Sequence, residues 1–80
     1  MVETRIALRY RAVKVAKIEF GAAAVIDCTV RDLSLTGAAI EVPSQAEIPE
    51  IFTLVMPDDG LHLPCHVVWR REYRIGVTFD

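Results

Sequence analysis

Leu61-His62-Leu63-Pro64-Cys65-His66-Val67-Val68-Trp69-Arg70 is the stretch that decides the fold class. Leu61, Leu63, Cys65, Val67 and Trp69 occupy every second position, the period of a strand with one buried face. On that alternation Trp69 is predicted to pack in the core, and Arg70 takes the opposite parity on the outer surface. Pro64 cannot donate to a ladder, so the first half of the segment is expected at an edge or a bulge. The segment is preceded by Pro57-Asp58-Asp59-Gly60, a hairpin turn with glycine at its end.

Working outward, the same period recurs along the chain and no window keeps a 3.6-residue repeat over the length of a helix. Strands are predicted over residues 13–20 (stopped by Gly21), 24–31, 38–42 (ending at Pro43), 51–56, 61–70 and 74–79. Residues 44–50 read as a loop or a single helical turn. Six short antiparallel strands cannot cover one another as a flat sheet. Closure into a small barrel buries their apolar faces and removes the edges. The expected fold is therefore all-β, a six-stranded antiparallel barrel over residues 13–80 with little or no helix. A flexible basic arm over residues 1–12 precedes it.

Composition narrows the class of function. Eighty residues make one domain, which buries only about 60–65% of the surface its unfolded chain exposes. Hydrophobic residues at 52% suffice for a real core and argue against disorder. The net charge of −2 argues against binding DNA, RNA or anionic membranes in general. The charge is uneven, however. Arg5, Arg9, Arg11, Lys14 and Lys17 against Glu3 make residues 1–17 net +4, which leaves −6 on the other 63 residues. A basic arm on an acidic body suits a small polyanion better than a polymer. No segment has the length of a membrane span or the character of a signal peptide, so a cytoplasmic location and no membrane insertion are expected. Cys28 and Cys65 sit in apolar strand settings and read as buried free thiols. With His62 and His66 they lack the spacing of a metal site. Paired carboxylates, an activated nucleophile and a cofactor motif are all missing, so no catalytic residue and no cofactor are assigned.

The residues that carry chemistry lie elsewhere. Ile26, Cys28 and Val30 hold even parity in the second strand, but at Leu33 and Leu35 the apolar positions become odd. The chain must bulge, twist or leave the strand near Arg31-Asp32, which aims Asp32 and Ser34 outward while Leu33 and Leu35 anchor the turn. Asp32 can accept from the N1–H and exocyclic amine of a guanine, and Ser34 can bond a ring nitrogen or a phosphate. Gly37 permits positive φ and close approach of a ligand to the backbone. Arg5 and Arg9 offer planar, bidentate donors for phosphate or a guanine face. A plainer reading makes Asp32 and Ser34 caps of a tight turn and the arginines a solvated surface pair. Arg70 joins as a further candidate from the outer surface, and Tyr10 and Tyr73 read as packing residues, with stacking on a ligand as the alternative.

Arg5-Ile6-Ala7-Leu8-Arg9, followed by Asp32-Leu33-Ser34-Leu35-Thr36-Gly37, resembles the paired motifs of the PilZ domain family. The ending, Val67-Val68-Trp69-Arg70 and then Ile75-Gly76-Val77-Thr78-Phe79, is similar as well. The resemblance spans almost the whole chain. It implies a barrel that binds the bacterial second messenger cyclic di-GMP, with Arg5 and Arg9 clamping phosphates and guanine faces. Asp32, Ser34 and Gly37 would hold a guanine edge. Thr4 stands where many members carry a second arginine. No domain ahead of Arg5 and no helix after the barrel are expected. The expectation is a stand-alone sensor acting through a downstream protein partner. The alternative is a module of the same fold that docks a protein with weak or lost nucleotide binding.

Overall fold

The computed structural model describes residues 9–10 and 13–80, and the side chains of 13–80. Arg9–Tyr10 form β1, Lys14–Phe20 β2, Ala24–Ser34 β3, Gly37–Glu41 β4, Ile51–Met56 β5, Leu61–Arg71 β6 and Arg74–Phe79 β7. β2 to β7 close a six-stranded antiparallel barrel in the order β3-β2-β5-β6-β7-β4, with β4 returning to β3. The expected spans hold to within one residue except at the second strand, which runs three residues further, to Ser34. A single 3₁₀ turn, Pro57–Asp59, joins β5 to β6 and ends on Gly60 at φ 65°, the left-handed position that favours glycine.

Register explains why the barrel closes here. β3 is long enough to pair along residues 24–30 with β2 and along 29–33 with β4, so one strand forms the seam. Beyond the end of the β2 ladder its last residues take β1, with Arg9 opposite Ser34 and Tyr10 opposite Leu33. Leu61 to Leu63 of β6 pair with β5 alone; the β7 ladder begins at Cys65 opposite Phe79, and just past its end the Asp80 N–H donates to the Pro64 carbonyl at 2.9 Å. Pro64 thus stands at the end of this edge, where its missing N–H is tolerated.

The interior is apolar throughout. Ile18, Val30, Ile40, Leu54, Cys65 and Ile75 are fully enclosed, and no polar or charged side chain among the described residues is buried. Val42 and Ile48, on the segment after β4, extend this core. Each such side chain contributes about 1.5–3 kcal/mol relative to exposure, so the core supplies the main driving force. Gln45 ties the same segment down, since its Nε2 donates to the carbonyls of Arg71 and Glu72 at 2.8 Å, across the β6–β7 hairpin. Cys28 and Cys65 are free and buried as expected. Burial pushes the Cys28 thiol up to about 12 and the Cys65 thiol up to about 11. Both stay protonated at neutral pH and are poor nucleophiles. A packed interior leaves recognition to the outer wall.

Candidate functional site

The parity break in β3 is a β-bulge. Val30 pairs with Ile40 and Asp32 with Ala39, so Arg31 is the extra residue and the strand continues through it. Val30 faces the core, and the inserted residue turns Asp32 outward and Leu33 back against the core. Arg31 reaches across to Glu41 at 3.2 Å, a half-exposed pair.

Beyond the bulge, Ser34 closes the turn into β4. Its Oγ accepts from the backbone N–H of Thr36 at 3.3 Å and of Gly37 at 3.2 Å, and its hydroxyl lies 3.2 Å from the Gly37 carbonyl oxygen. This is the turn-capping role that serines fill by bonding backbone two or three residues on. Two expectations are corrected here. Leu35 does not anchor the turn, because it stands at the bend and is 72% exposed. Gly37 does not have positive φ, a conformation confined to Gly21 and Gly60 among the described residues. Glycine is required at 37 because a Cβ there would collide with the carbonyl oxygen of Val77 on β7.

A second bulge lies in β6. Val67 pairs with Val77 and Trp69 with Gly76, so Val68 is the extra residue. Val68 is 54% exposed, and the alternation that points Val67 inward is reversed after it. The expected core position of Trp69 is therefore corrected. Its indole is 41% exposed and lies flat on Gly76, where a Cβ would meet the ring. Arg70 is corrected in the same way. It pairs with Ile75, a core-facing residue, and its guanidinium turns to the 45–50 segment. There it donates to the Ile48 carbonyl at 3.0 Å and lies 3.4 Å from Glu50. Tyr73, expected to pack, stands exposed in the hairpin turn.

The two bulges act on one row. Asp32, Ala39, Gly76 and Trp69 are successive cross-strand partners over β3, β4, β7 and β6, all on the outer face. An open groove of about 420 Å³ follows this row, with Asp32, Ser34 and Gly37 toward one end and Trp69 and Arg74 toward the other. Between Asp32 and the indole, which covers Gly76, Ala39 projects only a methyl group, so the floor there is low. An acceptor at one side, an aromatic face at the other and a shelf between them suit a planar heterocycle bearing donors. Trp69 is the groove residue that alternation concealed. Gly76 was its one signal, since a strand glycine flanked by inward-facing Ile75 and Val77 marks a close approach on the outer face.

The family comparison agrees with this architecture. The model of the PilZ domain matches residues 3–80, nearly the entire chain. The chain belongs to the PilZ domain family. PilZ domains are cyclic di-GMP receptors, binding modules rather than catalysts. No curated protein matches the chain.

Against this family background, the motif residues are placed as follows. In this PilZ domain β1 brings the backbone of Arg9 directly opposite Ser34, so the second arginine of the arm motif is fastened at the turn. Arg5 and the expected flexibility of the arm lie outside the described residues. Part of the basic N-terminal charge is neutralised on the barrel wall. Lys14 pairs with Asp59 and Lys17 with Asp27, each at 2.9 Å. The Lys17 ammonium is held above its usual range by its hydrogen bond to Asp27. Among the described residues, no helix is long and apolar enough to cross a membrane.

Proposed function

We propose that this PilZ domain binds cyclic di-GMP on the outer wall of the barrel and acts as a stand-alone sensor in the cytoplasm. The observation that carries the reading is the transverse row Asp32–Ala39–Gly76–Trp69. One guanine lies over Ala39, between Asp32 and the indole that covers Gly76. The Asp32 carboxylate accepts from its N1–H and exocyclic amine, and the Trp69 indole offers an aromatic face beside it. Arg5 and Arg9 grip the phosphodiesters and the free guanine face, and β1 supplies the short link between that grip and the turn. Ser34 and Gly37 contribute by shape: the serine holds the turn closed and the glycine lets it approach β7. The contacts that the arm makes with the ligand over the groove are then the signal passed to a downstream protein.

Calorimetric titration of the purified chain with cyclic di-GMP tests this. Saturable binding is expected. Asp32→Ala should weaken it about 100-fold, the worth of two charge-assisted hydrogen bonds, with little change in thermal midpoint. Arg9→Ala should also abolish high affinity. Absence of heat at tens of micromolar ligand, with retained capture of a protein partner by the Asp32→Ala/Arg9→Ala double variant, would establish the protein-docking alternative instead.

A further inference from the structure

The groove does not end at Trp69. One residue pair further along the strands the outer row is Glu41, Arg74 and Arg71, on β4, β7 and β6, about 6.8 Å from the Ala39–Gly76–Trp69 row. Arg71 and Arg74 are direct cross-strand partners. Like charges directly opposite on one sheet face repel and destabilise the pair. Glu41 and Glu72 border the same depression, but among the described residues no carboxylate forms an ion pair with either guanidinium. Glu41, the register neighbour of Arg74, is engaged by Arg31. Arg71 is instead held over the Trp69 ring, its guanidinium carbon 5.7 Å from the centroid. Trp69 and Arg74 line both the groove and the adjoining depression that Arg71 borders, so the two surfaces are continuous.

We infer that Arg71 and Arg74 form a second anion grip, on the β6–β7 hairpin, that holds a phosphodiester of the bound cyclic dinucleotide at the Trp69 end of the groove. The inference rests on the cyclic di-GMP reading above and adds residues outside the arm and turn motifs. A ring with two phosphodiesters carries charge on both sides. The arm serves the side at Ser34, and Asp32 to Trp69 is three strand spacings of about 4.8 Å, too wide for one arginine fork to serve both ends. Two arginines on cross-strand partner positions can each fork onto phosphate oxygens, and the ligand's charge removes the repulsion between them. The Gln45 bonds to the Arg71 and Glu72 carbonyls hold the hairpin backbone that presents both arginines.

The test is titration of the full chain with cyclic di-GMP at low and raised salt, comparing the unaltered protein with R71Q/R74Q. The double variant should bind about tenfold more weakly, with a shallower loss of affinity as salt rises. Its thermal midpoint should not fall, since a like-charged pair has been removed. Should tryptophan emission of the free double variant shift, R74Q alone carries the test, because Arg74 makes no ring contact among the described residues; a loss of about threefold is then expected. Affinity and salt dependence equal to those of the unaltered chain would overturn the inference and leave the groove reading standing. No saturable binding by the unaltered chain would overturn that reading, and this inference with it.

Discussion

The two walls of the groove are built by the same device and differ in what holds them. On the Asp32 side, the bulge at Arg31 leads into a turn clasped by Ser34, and Gly37 lies against the Val77 backbone. On the Trp69 side, the bulge at Val68 delivers an indole that rests on Gly76, and the atoms a methyl group there would meet all belong to that side chain. Backbone cannot retreat without breaking a ladder, whereas a half-exposed indole can swing aside. The Asp32 wall is therefore rigid by construction, and the Trp69 wall is seated by fit. This division suits a receptor in which the guanine edge needs fixed acceptors and the stacking face needs only a surface.

The largest effect that separates the walls is expected at Gly37. Gly37→Ala drives a methyl group into the Val77 carbonyl, and the strand pair must part to admit it. A loss of about 2–3 kcal/mol and a fall in thermal midpoint of roughly 10 °C or more should follow. A midpoint within 2 °C of the unaltered protein, on a scale where about 1 kcal/mol moves such a domain by 4–8 °C, would mean the β4–β7 approach is compliant.

Gly76→Ala should behave differently. The added methyl lifts the indole off its seat, so stability falls by only about 1 kcal/mol while tryptophan emission moves toward that of solvated indole. Cyclic di-GMP affinity should fall about tenfold, as it should for Trp69→Ala, because base–aromatic stacking is worth about 1–3 kcal/mol. If Gly76→Ala instead destabilised as much as Gly37→Ala with unshifted emission, the two walls would be equally rigid and the contrast would fail.

The core beneath both walls gives the smallest effect in the neutral range. Cys28 and Cys65 have folded pKa values raised to about 12 and about 11 by burial. For acids raised in this way, the native state binds more protons than the unfolded chain between the unfolded value, about 8.5, and the folded ones. Their contribution to stability is complete below about pH 8.5 and is lost as pH rises toward 11 and 12. Denaturant midpoints should thus be insensitive to the thiols at pH 7 and decline in the alkaline range, and Cys28→Ala/Cys65→Ala should flatten that decline. Rapid labelling of the native thiols at pH 8 by a disulfide reagent would contradict their enclosure.

The legibility of the site followed the same contrast. The β3 bulge was visible because it changes which positions are apolar: Val30 and Leu33 are both core-facing and differ by an odd number of residues. The β6 bulge left no such trace. Leu61 to Trp69 alternate without interruption, yet the inserted Val68 is apolar and the displaced Trp69 is apolar too, so period-two reading passes straight across the slip. Arg70 completed the deception, for a charged residue after Trp69 fits an outward position although it pairs with Ile75 and turns to the 45–50 segment. Gly37 shows a different limit. Its place in the turn motif is evident, but sequence offers positive φ as the reason, and the operative one is a carbonyl on a strand forty residues away.

The sequence by itself determined the all-β class, the strand spans, the single apolar core and the identity of the turn motif. These depend on local alternation and turn chemistry, which act over a few residues. Tertiary structure alone decided which residues share the outer row. That depends on register across β3, β4, β7 and β6, and a one-residue bulge reverses every side chain that follows it. Asp32 and Trp69, 37 positions apart in the chain, face the same groove because two such reversals coincide on one row.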